Sequence, residues 1–447
     1  MNTTPNLRAF GLFDAKVPRF TSFPPANWFT EAVSGPELAT WRRATPKGER
    51  TSLYVHIPFC RRLCWFCACR TQGTKTDAPL GRYVAHILVE AERVRREFAH
   101  DLSIARLHLG GGTPTILPPN LLTELLSGLD EIFGLHNLDE FSAEIDPTDV
   151  DAARIAALRK FGLSRASLGI QDFDTEVQDA IGRIQPFDMT QEVVNELRTQ
   201  GIDNINFDLL YGLPKQDNSS LLATLEAALS MQPDRLALFG YAHVPWMSKR
   251  QMMIPRDALP SPEARYGLFQ TARKHLLGRG HLQIGIDHFA LPSDGLARAF
   301  IERRLKRSFQ GYTDDPCTRL VAIGASAIST YPEGFAQNIP VTGKYAAAIE
   351  GSQSPVWRGF ALSGEDKIKA RVVEELLCYH RADVSNLPDR LERALLRVLH
   401  GYPGTMERGD TYVTLKPWAQ PLVRIIAAEF ALGTSGKNTE KRYSRAI

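Results

Sequence analysis

The chain has 447 residues, 53 Lys and Arg against 50 Asp and Glu, a formal charge of +3, and 43% hydrophobic against 23% charged residues. That length suits one large α/β domain with an appendage, and the balance excludes long disorder. So small a net charge, without basic runs interleaved with aromatics, gives no ground to expect a nucleic-acid surface, and no stretch approaches the roughly 18 apolar residues of a membrane span. Residues 1–25 carry no apolar leader-like run, so a cytoplasmic location is expected.

Residues 1–35 read as an N-terminal arm. In Pro18-Arg19-Phe20-Thr21-Ser22-Phe23-Pro24-Pro25 the prolines disfavour helix in the residues before them, which predicts an extended strap or a lid. Residues 36–360 form the main domain. Strands are expected at Leu53 to Ile57, Ile104 to Leu109, Glu140 to Ile145, Ala166 to Ile170, Ile205 to Leu210 and Leu236 to Tyr241. Helical spacing covers Arg82 to His100, Asp149 to Lys160, Asp188 to Thr199 and Ser219 to Met231. Six β/α units call for a parallel sheet with helices outside, and the pattern leaves open whether the sheet curls into a barrel. Polar and Gly-rich segments follow the strands: the cysteine loop, Gly110-Gly111-Gly112-Thr113-Pro114, Glu144-Ile145-Asp146-Pro147, Gln171-Asp172-Phe173, Asp208 to Pro214, and Tyr241-Ala242-His243-Val244-Pro245. In a parallel barrel such ends share the face where active sites lie. Further on, Ile284 to Ala290 and Ala322 to Thr330 read as buried strand-like pieces that extend or close the sheet. Residues 361–447 read as a small, mainly helical C-terminal domain of winged-helix type, with helices at Lys367 to Tyr379, Arg390 to His400 and Pro417 to Ala431, and a strand at Thr411 to Leu415.

Four of the six cysteines fall within ten residues of one another, which is no disulfide framework. Cys60, Cys64 and Cys67 follow a Cys-x3-Cys-x2-Cys spacing, and Cys69 adds a fourth thiol. Three thiolates can hold three irons of a [4Fe–4S] cluster and leave the fourth iron open to an amino-acid-like ligand. A structural zinc site remains the alternative, although zinc ligands usually come as two separated knuckles. Cys317 and Cys378 stand alone and read as structural.

Cys60-x3-Cys64-x-Phe66-Cys67, with an aromatic before the third cysteine, resembles the radical S-adenosylmethionine signature, and Gly110 to Pro114 resembles that superfamily's second motif, whose exposed backbone groups meet the methionine amine. Several further segments narrow the resemblance: the Pro-Arg-Phe-Thr-Ser-Phe-Pro arm, Val55 to Cys60, Cys67-Ala68-Cys69, Glu144 to Pro147, Gly169 to Phe173, Tyr211 to Gln216, Asp287 to Ala290, Phe309 to Thr313 and Ser326 to Ser329. Together they are similar to the oxygen-independent coproporphyrinogen III dehydrogenase family, also called oxygen-independent coproporphyrinogen III oxidases. The resemblance implies an α/β fold built on a partial (β/α)6 TIM-like barrel. It implies oxidative decarboxylation of two propionates of coproporphyrinogen III to vinyls, giving protoporphyrinogen IX, through a 5′-deoxyadenosyl radical made from S-adenosylmethionine at a [4Fe–4S] cluster.

By the same resemblance Cys60, Cys64 and Cys67 bind the cluster and two S-adenosylmethionine molecules are held. Tyr54, Gly111, Glu144 and Ile328 would serve the first, and Phe66, Gly112, Thr113, Gln171, Arg183, Asp208 and Ala242 the second. Cys69 would matter for activity, facing the second cofactor or the substrate. An electron donor such as flavodoxin or ferredoxin, an unidentified electron acceptor and a monomeric state are implied as well. The arm departs from the family in having Phe20 and Phe23 where tyrosines are usual, and Thr148 stands where arginine is common. A related haem-binding chaperone, or another radical enzyme acting on a tetrapyrrole, is the competing reading; the chaperones typically lack the arm and the Cys67-x-Cys69 pair.

Overall fold

The structure, a computed structural model, describes residues 4–19, 22–432 and 443–446. Six strands, β1 (Arg50–Ile57), β2 (Ser103–Gly111), β3 (Glu140–Ile145), β4 (Arg165–Gln171), β5 (Asn204–Tyr211) and β6 (Arg235–Gly240), run parallel and side by side in chain order. Each carries two stripes, because successive side chains point to opposite faces of a sheet. Leu53, Val55 and Ile57 on β1, Leu107 and Leu109 on β2, and Phe141, Ala143 and Ile145 on β3 are buried in one core with Ile87, Leu125, Leu158, Leu197 and Leu225 of the flanking helices. The alternate residues are polar and line the concave side: Ser52, His108, Ser142, Glu144, Ser167, Asn206 and Asp208 face one cavity.

The helices at Phe187–Thr199 and Asn218–Ser230 fall where their spacing predicts. The one expected over Arg82 to His100 runs Ala78–Arg96, started by Pro79 in its first turn, where a missing N–H costs nothing. The one expected from Asp149 is a 3-10 turn, Pro147–Asp149, and then Ala152–Lys160, whose first turn is capped by Asp151 accepting from the Arg154 N–H at 2.8 Å. Several helices that the sequence reading leaves out are present, the two longest being Pro119–Phe133 and Pro262–Gly278. In the first, Gly128 interrupts the helical signal; a Cβ there would sit 2.6 Å from Leu88 Cδ2, so close packing of two helices selects the glycine.

Both late strand-like pieces are pairs of strands with a turn between them, and they extend the sheet without closing it. β7 (Leu282–Ile284) and β8 (His288–Ala290) form a hairpin added antiparallel to β6. β9 (Leu320–Ile323) lies parallel to β1, followed outward by antiparallel β10 (Ile328–Tyr331), β11 (Gly334–Asn338) and β12 (Val356–Ala361). The order β12-β11-β10-β9-β1-β2-β3-β4-β5-β6-β8-β7 is open, so the barrel is partial. Its N-terminal end is spanned by charge: Arg106 meets Asp314 at 2.6 Å, Arg165 meets Glu140 at 2.8 Å, and Arg235 meets Asp294 at 2.8 Å. Asp314 follows the hairpin Lys306–Ser308 and Gly311–Thr313, which is thereby tied beneath the open barrel.

A second core gathers the helices Gly364–Tyr379, Asp389–Gly401 and Val423–Leu432 with a three-stranded antiparallel sheet (Arg381–Asp383, Met406–Arg408, Tyr412–Leu415). Leu7, Leu12, Phe13, Val17 and Phe23 are buried in this core, and Phe23 packs edge-on to Trp28 at 5.6 Å. Phe23 is a packing residue of the arm; Phe20 lies outside the described residues. Thr30 and Gly359 exchange backbone hydrogen bonds of 2.9 and 2.8 Å, which covers the outer edge of β12. Among the described residues no helix is long and apolar enough to cross a membrane.

Candidate active site

The cysteine loop leaves β1 at Ile57 and is gripped from two sides. From the Gly-rich turn after β2, the Gly112 N–H donates to Ile57 O at 2.8 Å and the Thr113 N–H to Phe59 O at 2.9 Å. From the segment after β6, Ser248 Oγ donates to Cys67 O at 2.8 Å, Arg250 Nη2 to Thr71 O at 3.0 Å, and Gln251 Nε2 to Phe66 O at 2.7 Å and to Ala242 O at 3.0 Å. The fully buried Gln251 carboxamide therefore joins the sixth strand end to the first. Since the Gly112 and Thr113 N–H groups serve the cysteine loop, what the turn can offer a ligand ammonium is carbonyl oxygen, an acceptor of the right polarity.

A cavity of about 250 Å³ opens beside the loop, lined by every candidate residue except Tyr54, Ala242 and Ile328. Among the described residues no three His, Cys, Asp or Glu side chains converge closely enough to hold a single metal ion. Cys60, Cys64 and Cys67 instead stand around the cavity, an arrangement that suits a cluster taking one thiolate on each of three irons. Their surroundings differ. The Cys69 thiol hydrogen-bonds Cys67 and, with Arg250 and Arg183 and against burial, draws it down to about 6. Burial pushes Cys60 up to about 12, and Thr113 Oγ1 lies 3.7 Å from its sulfur.

Glu144, at the end of β3, is the centre of a polar network. Its Oε2 accepts the Gly111 N–H at 2.9 Å and its Oε1 lies 3.6 Å from His108 Nε2. His108 Nδ1 bonds Ser142 Oγ at 2.7 Å, its ring stacks on Tyr54 at 5.5 Å, and Tyr54 Oη reaches His56 Nδ1 at 2.9 Å. Burial raises the Glu144 carboxyl, but His108, the Gly111 N–H and His56 outweigh it and hold the group below its ordinary value. Gly110 makes the convergence sterically feasible: a Cβ there would lie 2.9 Å from Glu144 Oε1 and from His108 Nε2, and 3.0 Å from Tyr54.

Arg183 is nearly buried and forms a fork, with two 3.0 Å contacts to Asp146, a 2.7 Å bond to Gly169 O and a 3.4 Å contact to Cys64 Sγ. Gln171 sits in the left-handed region at φ 72, a sparsely populated conformation for a residue with a Cβ. Its neighbour Asp172 fixes the turn, accepting Thr224 Oγ1 at 2.7 Å, Gln216 Nε2 at 2.6 Å and the Asp174 N–H at 2.8 Å. Asp208 is pushed up to about 6 by burial and by Glu144, although Asn206 Nδ2 donates to it at 2.9 Å.

Of the three remaining candidates, Tyr54 stacks on His108 and lies against Gly110 beside the Glu144 network, Ile328 lies on β10, and Ala242 lines a neighbouring cleft. At Thr148, where the sequence departs from its family, Oγ1 donates to Asp146 at 2.8 Å, and the Arg62 guanidinium of the cysteine loop approaches it at 3.5 Å. Sequence reading passed over His108, Ser142, Ser167, Asn206 and Gln251. Polar residues recurring at every second position of five strands were a legible signal for the first four. Gln251 carries no such signal, since it lies in a 3-10 turn, Lys249–Met253.

A three-cysteine loop following the first strand of a six-stranded parallel half-barrel, with the other strand ends gathered on it, defines a radical S-adenosylmethionine protein; residues 54–228 match the Radical SAM superfamily. The chain belongs to the oxygen-independent coproporphyrinogen III oxidase family. It is 45% identical to the oxygen-independent coproporphyrinogen III oxidase of Paracoccus denitrificans over 96% of this chain and 97% of that one. It is 44% identical to that of Cereibacter sphaeroides, again over 96% and 97%. Among solved structures, Escherichia coli coproporphyrinogen III oxidase, a radical SAM enzyme, superposes with a TM-score of 0.86 at 33% identity, over 92% of this chain and 96% of that one.

Proposed function

We propose that the protein converts coproporphyrinogen III to protoporphyrinogen IX without dioxygen, turning two propionate side chains into vinyl groups. Each conversion releases carbon dioxide, a proton and two electrons, so the substrate is oxidised and an electron acceptor is needed. The observation that carries this reading is the cavity in which three cysteine thiols, Glu144, Gln171, Arg183 and Asp208 face one another, in a chain similar over nearly its whole length to enzymes of this name. When bound, the [4Fe–4S] cluster and S-adenosylmethionine supply one-electron chemistry and a hydrogen-abstracting 5′-deoxyadenosyl radical.

The chain's own residues hold and orient. Cys60, Cys64 and Cys67 ligate the cluster. Tyr54, Gly111, Glu144 and Ile328 serve one S-adenosylmethionine; the Glu144 carboxylate, kept charged by His108, accepts from its ammonium. Phe66, Gly112, Thr113, Gln171, Arg183, Asp208 and Ala242 serve a second, with Asp208 accepting ribose hydroxyls and Arg183 facing a carboxylate. Cys69 stands free of the ligand set and acts on the second cofactor or the substrate. A flavodoxin or ferredoxin supplies the electron, and the protein works as a monomer in the cytoplasm, where free thiols such as these stay reduced.

The test is anaerobic reconstitution with iron and sulfide, followed by reductant, S-adenosylmethionine and coproporphyrinogen III. Protoporphyrinogen IX with methionine release is expected. Haem uptake without turnover would point to a chaperone, and bound zinc without iron or sulfide to a structural scaffold.

A further inference from the structure

Next to the catalytic cavity, on the same rim of the barrel, lies a larger cleft of about 540 Å³, within the range of about 300–1,000 Å³ usual for ligand sites. Its charge is one-sided. Lys16 of the arm, Arg256, Arg265 and Arg445 all line it, and among the described residues no Asp or Glu does. Between these cations the wall is apolar and aromatic, with Tyr241 buried and Trp246 46% exposed.

The most enclosed of the four, Arg265, is built in. Its guanidinium lies over the Tyr211 ring at 5.5 Å, and its Nε is buried with no hydrogen-bond partner. It passes Gly212, where a Cβ would meet its side chain at 2.9 Å, and Gly240 at the end of β6, where a Cβ would also collide with it. Behind it Arg19 donates from Nη2 to Gly240 O at 2.6 Å, and Asp287 is the carboxylate whose charge acts on it. Burial pushes Arg19 down to about 9, and the neighbouring Arg424 and Arg265 add to the effect; Arg265 is itself lowered by burial and by Arg424 and Arg445. Asp287 answers Arg424 at 3.2 Å and offsets part of the repulsion at Arg19, but among the described residues no carboxylate forms an ion pair with Arg265, and a guanidinium so enclosed is costly to bury unless an anion completes it.

The cleft is also wired to the chemistry. Ala242 lines its wall, and Gln251 donates from one amide nitrogen to Ala242 O and to Phe66 O in the cysteine loop. An anion seated here is thus one strand-end segment away from the cluster loop. A porphyrinogen with four propionates has an apolar body and more carboxylates than can react at once, so those not under attack need cationic partners.

We infer that this cleft is the carboxylate subsite of the enzyme, in which Arg265, Arg256, Lys16 and Arg445 grip the propionates of coproporphyrinogen III that are not reacting. The inference rests on the proposed reaction, and its test is chosen to separate the two. Binding is read with coproporphyrin III, the stable tetracarboxylate form of the substrate, and with mesoporphyrin IX, a dicarboxylate, on reconstituted holoenzyme. Wild type is expected to bind the tetracarboxylate at least tenfold more tightly. Arg265→Gln, and the double exchange Arg256→Glu with Lys16→Glu at exposed positions that carry no packing, should erase that preference. They should also raise KM for coproporphyrinogen III tenfold or more, with a smaller change in kcat and an unaltered cluster absorbance. If Arg265→Gln fails to fold, the exposed pair decides. Turnover by wild type with variants that keep its preference and its KM overturns the cleft and leaves the reaction standing. Arg256-dependent binding of coproporphyrin III without any turnover supports the cleft and overturns the reaction. Failure of wild type to bind coproporphyrin III overturns the cleft.

Discussion

Cys69 and Asp208 show how environment assigns roles to side chains the sequence leaves alike. Cys69 is exposed and its thiol hydrogen-bonds the Cys67 sulfur, which is drawn down to about 6. Because three other thiols are available to a cluster, Cys69→Ser should retain its iron, sulfide and visible absorbance while turnover falls at least tenfold; wild-type turnover would remove Cys69 from the mechanism. Asp208 is raised from 3.8 to about 6 by burial and by Glu144. Its proton favours the folded state, so this increment of stability is present below about 4 and is lost as pH rises through about 6. Ribose hydroxyls prefer the charged carboxylate, which gives binding the opposite slope. S-adenosylmethionine affinity should climb between pH 5 and 6.5 and then level, by up to roughly tenfold per pH unit below the pKa, and Asp208→Asn should bind more weakly with a flat profile. Equilibrium dialysis across that range checks both.

The helix Ala78–Arg96 does more than cover the sheet. Its Tyr83 Oη donates to His56 O at 2.8 Å and accepts the Ala325 N–H at 2.8 Å, while Glu90 accepts from Gly324 N at 2.9 Å, Asn338 Nδ2 at 2.7 Å and Tyr345 Oη at 2.5 Å. One helix thereby fixes the start of the cysteine loop and the turn between β9 and β10 that presents Ile328. Glu90 is 2% exposed, so Glu90→Ala would leave three buried donors unanswered. The expected cost is on the order of 3 kcal/mol, read as a lower denaturation midpoint, whereas Glu90→Gln should recover much of it. A midpoint unchanged in the alanine variant would mean that water replaces the carboxylate. Tyr83 and Glu90 lie about two turns apart on one face of a recognisable amphipathic helix, yet nothing in their spacing announces partners more than 200 residues away.

Across the whole molecule, burial and charge divide between the two ends of the barrel. The N-terminal end is compensated: Asp294, 5% exposed, meets Arg165 at 3.3 Å and Arg235 at 2.8 Å. Asp294→Ala would strand the Arg235 guanidinium and leave Arg165 with Glu140 alone, at a cost of about 3–5 kcal/mol, measurable as a fall in Tm; the change should reach activity mainly through lost fold. On the C-terminal rim the Arg183–Asp146 fork is paired as well, but the cleft lined by Lys16, Arg256, Arg265 and Arg445 has no Asp or Glu in its wall among the described residues. The sequence by itself determined the parallel β/α succession, the grouping of the cysteines on one loop and the family, because strand alternation and motif spacing are local patterns that short-range sterics impose. Tertiary structure alone decided that the sheet stays open, that Phe13, Val17 and Phe23 of the arm are core residues of the C-terminal unit, and that Gln251 braces the cysteine loop. It also decided which cations find a carboxylate and which do not. Each of these depends on what long-range packing sets opposite a side chain, and that pairing is written in no neighbouring stretch of the chain.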